Sequence, residues 1–241
     1  MWGLSTIQPE RPETWQNQQF LTVDVDWASD AVLSYSIDLI EQAGIPATWF
    51  ITHETPLLSR LRENPKFELG IHPNFNKLLF QQDISNGATP TEIVQNLMAI
   101  VPEAKVVRSH SMTQSSPLLD VFRTCGLTHE SNHFIPIESG VELKPWRHWN
   151  GLIKIPYAWE DDVACMHGTM TQTDFERLTN FKGFCVLDVH PIHVVLNTHD
   201  LSLYETTRTL HLGDIRPLFN ACHPDFGTRS ALMTWMYRQR G

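Results

Sequence analysis

Short apolar runs recur along the chain and alternate with segments of helical periodicity. The runs predicted as β-strands cover residues 21–25, 48–52, 67–71, 106–108, 129–132, 152–155 and 184–189. These runs are mostly apolar, so both faces of the strands are expected to be buried. Strands and helices in alternation predict a parallel sheet covered by helices, either a closed barrel or an open, doubly wound sheet.

Three helices are predicted from their caps as well as from their periodicity. The first begins near Ser29 and ends at Gly44, because glycine suits the left-handed residue that follows many helices. The second begins at Thr89, which forms a capping box with Glu92 around a proline at the first helical position. The third begins at Ser116 and ends at residues 125–126. Weaker helical patterns cover residues 173–178, 201–210 and 230–240.

The whole chain, residues 1–241, is predicted to form a single domain. Residues 1–19 form a polar N-terminal extension, and residues 20–241 form the α/β unit with a helix at its end. Residues 74–88 are the longest stretch without periodicity and are expected to be a surface excursion over one end of the sheet.

Composition excludes several classes of protein. With 18 Lys and Arg against 27 Asp and Glu the net charge is −9, which argues against nucleic-acid binding, because such binding depends on neutralising phosphates. We see no apolar run of membrane-spanning length and no secretory leader, so we expect no membrane span and a cytoplasmic location. The four cysteines form no CxxC pair, which disfavours a zinc finger or a disulfide scaffold.

Polar residues gather where the predicted strands end. They are Asp24 and Asp26 at the first strand, His72 after the third, Arg108 and His110 at the fourth, and Asp188 and His190 at the seventh. The carboxyl ends of parallel strands meet at the edge where α/β proteins build active sites. One cleft is therefore predicted to hold all of these side chains, with Asp188 among its catalytic carboxylates.

Carboxylates and imidazoles in one cleft suit a catalytic divalent metal. Asp26 and His72 are the first candidate ligands. Asp24 could serve as the general base for a metal-activated water, with Arg108 pairing its charge, and His190 could donate a proton to the leaving group. The reaction class that this set predicts is metal-assisted hydrolysis of an amide or ester.

Four segments resemble, in order and spacing, the polysaccharide deacetylase family with the NodB homology domain, carbohydrate esterase family 4. They are residues 21–26 (LTVDVD), 44–50 (GIPATWF), 68–72 (ELGIH) and 189–191 (VHP). The resemblance implies a distorted (β/α)7 barrel and a hydrolase that removes N-acetyl or related acyl groups from sugars. It also implies one divalent metal ion, with Zn²⁺ expected first and Co²⁺ or another divalent ion as alternatives.

Three further segments, HPNF, RSHS and HPIH, are similar to the branch of this family found in O-antigen gene clusters, the WbmS-like proteins. This similarity implies that the partner is an N-acylated sugar of an O-antigen or another surface polysaccharide.

The resemblance assigns roles by position. Asp24 matches the catalytic base of the family, and Asp26 and His72 match metal ligands. Arg108 matches the arginine that pairs with the base, and His190 matches the catalytic acid.

The chain departs from the family at the third metal ligand. The family usually has a second ligand histidine four residues after the first, where this chain has Asn76, and a neutral amide oxygen suits zinc poorly. His110 is therefore predicted as the third ligand, with Asn76 as the alternative.

Two more residues are assigned to the substrate. Trp159, just past the sixth predicted strand, is expected to stack on a sugar face, with a packing role as the alternative. His193, three residues beyond His190, is expected either near the substrate or in a structural role.

Two other functions are weighed. Residues 129–133, HESNH, fit the HExxH pattern of zinc metalloproteases, but that pattern needs a helix, which Gly126 and Pro136 oppose. The departure at Asn76 also allows a noncatalytic relic that only binds glycans. The presence of both aspartates, Arg108 and His190 favours the enzyme.

Overall fold

The computed structural model describes residues 3–240, in which nine β-strands form one sheet. The strands are β1 Gln19–Asp24, β2 Ala47–Ile51, β3 Phe67–Ile71, β4 Val106–Val107, β5 His129–Phe134, β6 Trp146–Arg147, β7 Ile153–Tyr157, β8 Trp159–Glu160 and β9 Cys185–Val189. All seven predicted strands are present. The two that the pattern does not predict, β6 and β8, have two residues each, too few to show a periodicity.

The sheet curls back on itself through β7 and β8. Its strand order is β6-β7-β5-β4-β3-β2-β1-β9-β8, and all neighbours are parallel except β6 and β7. Only Ala158 separates β7 from β8, which pair with β5 and β9 respectively. The Ile135 N–H donates to the Tyr157 carbonyl (2.9 Å), and the Ala158 N–H donates to the Val186 carbonyl (2.8 Å). This continuous segment joins the two ends of the sheet, and the predicted distorted (β/α)7 barrel is confirmed.

Eleven α-helices cover the sheet within the described residues. They are α1 Asp30–Ala43, α2 Leu58–Glu63, α3 Asn76–Gln81, α4 Pro90–Ile100, α5 Ser116–Thr124, α6 Asp161–Met166, α7 Gln172–Thr179, α8 Pro191–Leu196, α9 Leu201–Thr207, α10 Ile215–Ala221 and α11 Thr228–Gln239. The helices that the sequence pattern misses, α2, α3, α6, α8 and α10, have six or seven residues each. Such short helices are ordered by tertiary packing rather than by their own periodicity.

The predicted caps are present. Gly44 is left-handed (φ 64°) and ends α1. Thr89 Oγ1 accepts a hydrogen bond from the Glu92 N–H, as the predicted box requires. The Glu92 carboxylate accepts its return bond from the Ala88 N–H, one residue before the cap. The pattern at residues 201–210 divides into α9 and a 3-10 turn, Arg208–Leu210.

Residues 3–18 close the amino-terminal end of the barrel. Leu4 and Ile7 are fully buried, and the Ile7 carbonyl lies 2.9 Å from His129 Nε2. The Ser5 N–H donates to the Glu68 carboxylate at 3.1 Å. The N-terminal extension is therefore packed, and the opposite end of the barrel carries the polar cleft.

In residues 3–240 we find no helix with the length and apolar character needed to cross a bilayer.

Candidate active site

The carboxyl ends of four strands bring the predicted site residues to one rim of the barrel. Asp24 is the last residue of β1, His72 follows β3, Arg108 follows β4 and His190 follows β9. Parallel pairing keeps these strand ends level, so side chains that are far apart in sequence meet at one edge.

Arg108 lies inside the barrel and fixes Asp24. Its side chain is 2% exposed, and Nη1 donates to Asp24 Oδ1 at 3.1 Å. Ser131 accepts from the other side of the guanidinium, through its carbonyl (2.9 Å) and its Oγ (3.0 Å). The guanidinium carbon lies 4.7 Å from the ring centre of Phe50 and 4.3 Å from that of Tyr157. The guanidinium is therefore fixed in place, and its Nη1 holds one oxygen of the Asp24 carboxylate.

Asp188 contacts Arg108 in the interior of the barrel and is not exposed to the cleft. It is fully buried, and its Oδ1 accepts from Arg108 Nη1 and from Thr22 Oγ1 (2.6 Å). Burial disfavours the guanidinium charge, but Asp188 and Asp24 outweigh burial and raise the pKa of Arg108. Asp188 therefore acts on Arg108, and through Arg108 on Asp24.

Asp26, His72 and His110 form a group with the donor set of a metal site. His72 Nε2 lies 3.1 Å and His110 Nδ1 lies 3.2 Å from the same oxygen, Asp26 Oδ1. One ligand atom from each residue lies within 4.8 Å of the others. Burial acts to raise the pKa of Asp26, but the neighbouring imidazoles of His110 and His72 outweigh it and hold that pKa well below its usual value.

His72 gives the clearest indication that a cation fits. Its side chain is 2% exposed, yet within residues 3–240 neither ring nitrogen makes a hydrogen bond of acceptable geometry. Carboxylate oxygens of Asp24 and Asp26 lie only 3.4 and 3.1 Å from these nitrogens. A buried imidazole without hydrogen bonds is costly, and a divalent cation held between imidazole and carboxylate would remove that cost.

Both turns that carry these residues contain left-handed backbone. Asp26 and Trp27 have φ values of 43° and 56°, and Ser111 and Met112 have values of 55° and 53°. Each such residue costs on the order of 1 to 3 kcal/mol and persists where the surrounding structure holds it. The Trp27 N–H donates to Thr52 Oγ1 at 3.1 Å, which holds the first turn. Strain retained in both turns is typical of a functional site.

Asn76, the alternative third ligand, is engaged elsewhere. Its amide nitrogen donates to Ser111 Oγ at 3.0 Å, and its amide oxygen accepts from Thr113 Oγ1 at 3.3 Å. The structure thus brings His110 to Asp26, and it uses Asn76 to hold the loop that follows His110.

His190 is held by a carboxylate that the sequence reasoning missed, Asp161. His190 Nδ1 lies 2.7 Å from Asp161 Oδ1, and the His190 N–H donates to Asp161 Oδ2 at 2.9 Å. Burial lowers the pKa of His190, but the Asp161 carboxylate outweighs burial and raises it well above its ordinary value. His190 Nε2 then points toward the cleft, 3.6 Å from Asp26 Oδ2. Asp161 lies six residues beyond the sixth predicted strand and directly follows β8, which the sequence pattern does not predict.

His193 lies behind His190 and is buried. Its Nδ1 lies 3.0 Å from Thr198 Oγ1, and its ring centre lies 5.7 Å from that of His190. Its burial and its contact with Thr198 favour the structural alternative for His193.

Trp159 lies on the rim but outside the cluster of Asp26, His72 and His110. Phe175 packs edge-on against its ring at 5.3 Å, and the indole borders a cavity of about 410 Å³ that none of these three residues lines. A separate cavity of about 320 Å³ reaches His72 and is bordered by Trp27 and Asn74, and residues 85–86 of the predicted excursion form part of its wall.

The structure contradicts the metalloprotease alternative. The HExxH residues lie on strand β5 rather than on a helix. His129 Nε2 lies 2.9 Å from the Ile7 carbonyl, and Glu130 forms a buried ion pair with Lys154. His133 packs beside Trp146, with ring centres 5.1 Å apart.

Comparison with known protein families identifies the family to which this barrel belongs. The model of a family described as WbmS-like polysaccharide deacetylase matches residues 21–208. The chain belongs to this family.

Two solved structures are similar. One is WbmS from Bordetella bronchiseptica, assigned as a polysaccharide deacetylase involved in O-antigen biosynthesis. It is 42% identical, with 98% of this chain and 96% of that chain covered and a TM-score of 0.87. A protein from Mycobacterium smegmatis, assigned as a polysaccharide deacetylase, is 13% identical, with 92% and 82% covered and a TM-score of 0.57, a likeness of fold alone. The comparison with curated proteins finds no match.

Proposed function

We propose that this protein is a metal-dependent deacetylase that hydrolyses an N-acyl group of a sugar in O-antigen or other surface polysaccharide biosynthesis. The observation that carries the proposal is the cluster of Asp26, His72 and His110 between a fixed carboxylate, Asp24, and an imidazole held for proton donation, His190. Membership of the deacetylase family and the 42% identity to WbmS support the choice of substrate class.

Asp26, His72 and His110 would hold the metal, and zinc suits two imidazoles and a carboxylate. When bound, a divalent ion supplies Lewis acidity, which makes water a better nucleophile and the amide carbonyl a better electrophile. Asn76 would position the loop that follows His110, through its hydrogen bonds with Ser111 and Thr113.

Asp24 is the proton acceptor in this scheme. Its Oδ1 is held by Arg108, while its Oδ2 lies 3.4 Å from His72 Nδ1 and faces the cluster. As water attacks the amide carbon, a new C–O bond forms and the water proton passes to Asp24. Arg108, backed by Asp188, keeps the accepting oxygen aimed at the cleft.

His190 is the proton donor. Asp161 engages Nδ1 and favours the protonated imidazole, so Nε2 carries a proton toward the cleft. When the C–N bond breaks, that proton goes to the departing amine, and the products are a carboxylate and an amino sugar. A proton acceptor and a proton donor that both lie beside the proposed metal ligands suit the hydrolysis of an amide.

Metal content and turnover test the proposal together. Protein purified without chelators is expected to carry about one divalent ion per chain, and His72→Ala is expected to lose it. Asp24→Asn is expected to keep the metal but lose release of acetate from N-acetylated sugars. Metal-free wild type that fails to take up zinc or cobalt, or normal turnover by Asp24→Asn, would contradict the proposal.

A further inference from the structure

The HESNH segment of β5 lies beside the segment that carries Arg108 and His110. Its residues Ser131 and Asn132 are buried, with 0% and 2% of their surface exposed. Ser131 holds the Arg108 guanidinium, as described above, whereas Asn132 has no part in the proposed reaction. A buried amide so close to a candidate metal ligand calls for a physical explanation.

Strand β5 contains a bulge at these two residues. Glu130 pairs with Lys154 on β7. The next pair is His133 with Pro156, so β5 has one residue more than β7 between the two pairs. A bulge of this kind bends the strand and redirects its side chains, and bulges are frequent beside active sites. This one begins where the backbone pairing of β4 with β5 ends, at Val107 and Glu130.

Beyond the end of β4, a side chain of the bulge continues the contact between the two strands. The Ser109 N–H donates to Asn132 Oδ1 at 2.7 Å, and Asn132 Nδ2 donates to Ser109 Oγ at 3.3 Å. The Asn132 N–H in turn donates to Glu130 Oε1 at 2.9 Å, so the backbone of the bulge is held as well. A buried amide that is bonded through both of its polar atoms has little freedom to turn.

Asn132 thereby holds the backbone one residue before His110. From the other side, the His110 N–H donates to the Pro73 carbonyl at 3.0 Å. Between these two contacts, His110 Nδ1 lies 3.2 Å from Asp26 Oδ1. The two residues after His110 have left-handed backbone, which persists only where neighbouring contacts hold the loop. The Asn132 amide supplies one of these contacts.

We propose that Asn132 is a positioning residue for the candidate metal ligand His110, and that it acts through the backbone of Ser109. Without the amide, the segment that carries His110 moves more freely, and its imidazole is less often placed to share a cation with Asp26 and His72. The effect on metal binding rests on the proposed function, whereas the restraint on the His110 segment does not.

Titration of metal-free protein with Co²⁺, followed by the visible absorption of the bound ion, tests the positioning role. We expect Asn132→Ala to weaken Co²⁺ binding about tenfold, the size typical for loss of an outer contact to a metal ligand. Asn132→Asp keeps an oxygen that can accept the Ser109 N–H, and its charge attracts a cation, so its affinity is expected to be no weaker than that of wild type. Unchanged affinity in Asn132→Ala, or an equal loss in Asn132→Asp, would overturn the inference.

The His110→Ala background shows whether the effect passes through His110. Adding Asn132→Ala to this variant is expected to cause no further loss of Co²⁺ affinity, because the contact between His110 and the cation is already removed. An equal further loss would assign Asn132 a general structural role and would overturn the inference.

Asn197→Ala is the matched control for stability. Asn197 is also 2% exposed, and its amide bonds with backbone groups of His223, Asp225 and Ser230, away from the candidate metal ligands. This variant is expected to lose stability and to keep the Co²⁺ affinity of wild type. If it weakens Co²⁺ binding as much as Asn132→Ala does, the effect reflects stability alone and the inference fails.

Ser109→Ala replaces Asn132→Ala if that variant does not fold. It removes the 3.3 Å hydrogen bond and retains the one from the Ser109 N–H. Its Co²⁺ binding is expected to be about threefold weaker, the size of one modest hydrogen bond. Unchanged affinity in that case overturns the inference.

Amide hydrogen exchange of residues 108–113 in metal-free protein separates the two proposals. We expect faster exchange in Asn132→Ala than in wild type, and unchanged exchange there in Asn197→Ala. Wild type that takes up no Co²⁺ contradicts the proposed function, and faster exchange in Asn132→Ala then still supports the restraint on the His110 segment. Unchanged exchange in Asn132→Ala overturns the inference whether or not the metal binds.

Discussion

Replacing Glu130 with glutamine leaves the buried Lys154 ammonium without its counter-ion. The two side chains are 0% and 1% exposed, and they form an ion pair between β5 and β7. The remaining contacts of Lys154 are weak substitutes, because Nζ otherwise donates only to the Gln114 amide oxygen at 3.1 Å. Glu130 Oε1 also accepts the Asn132 N–H at 2.9 Å, an interaction that the glutamine amide oxygen can retain.

The expected loss follows from this burial. Removing one partner of a buried ion pair costs about 3 to 5 kcal/mol, because an uncompensated charge stays in the interior. Burial raises the pKa of Glu130 despite the nearby Lys154, so the intact pair contributes little net stability. Lys154→Met in the Glu130→Gln background is therefore expected to recover most of the loss. A domain with more than about 6 kcal/mol of stability, within the usual range of about 5 to 15 kcal/mol, still folds with the single substitution.

Urea unfolding, followed by tryptophan fluorescence, measures the coupling free energy between Glu130 and Lys154. The proteins compared are wild type, Glu130→Gln, Lys154→Met and the double variant. A coupling free energy below about 0.5 kcal/mol would refute this account of the pair. Acetate release per folded molecule is the second readout, and we expect Glu130→Gln to retain it. Loss of activity in folded Glu130→Gln would instead support a catalytic glutamate on β5.

Three further predictions concern the site. Asp161→Asn removes the carboxylate that raises the pKa of His190, so the alkaline limb of the pH profile of kcat is expected to move to lower pH; an unmoved limb counts against His190 as proton donor. Burial and the nearby Asp162 raise the pKa of Glu160 from 4.5 to about 8. The folded state then keeps a proton that the unfolded state releases, so stability should fall as pH rises across that interval. Thermal melts across pH should show a flatter profile for Glu160→Gln, and identical profiles would refute the shift. Chelation by EDTA is expected to lower the Tm of wild type but not that of His72→Ala, since only a metal bound to the native state stabilises it; equal shifts would place the metal elsewhere.

Local signals in the sequence were sufficient for the main elements. Runs of three to six residues, most of them apolar, mark the seven predicted strands, and the Thr89 box and Gly44 mark helix ends, because both signals depend on neighbouring residues only. The place of Asp24, His72, Arg108 and His190 at strand ends also follows from sequence, since parallel strands all expose their carboxyl ends on one rim.

Local sequence does not predict which side chains from different strands contact one another. Asp161 becomes the partner of His190 because β8, which directly precedes Asp161, pairs with β9. A strand of two residues shows no periodicity, so the sequence does not predict this pairing. Ligand chemistry favours His110 over Asn76 in the sequence, but only packing shows that His110 lies beside Asp26 and that Asn76 bonds to Ser111 and Thr113. The sequence by itself therefore determined the main strands and helices and the rim that carries the chemistry, and it implied the barrel only through the family resemblance. Tertiary structure decided the partners across that rim and the separate cavity at Trp159, because distances between strands depend on curvature and register of the whole sheet.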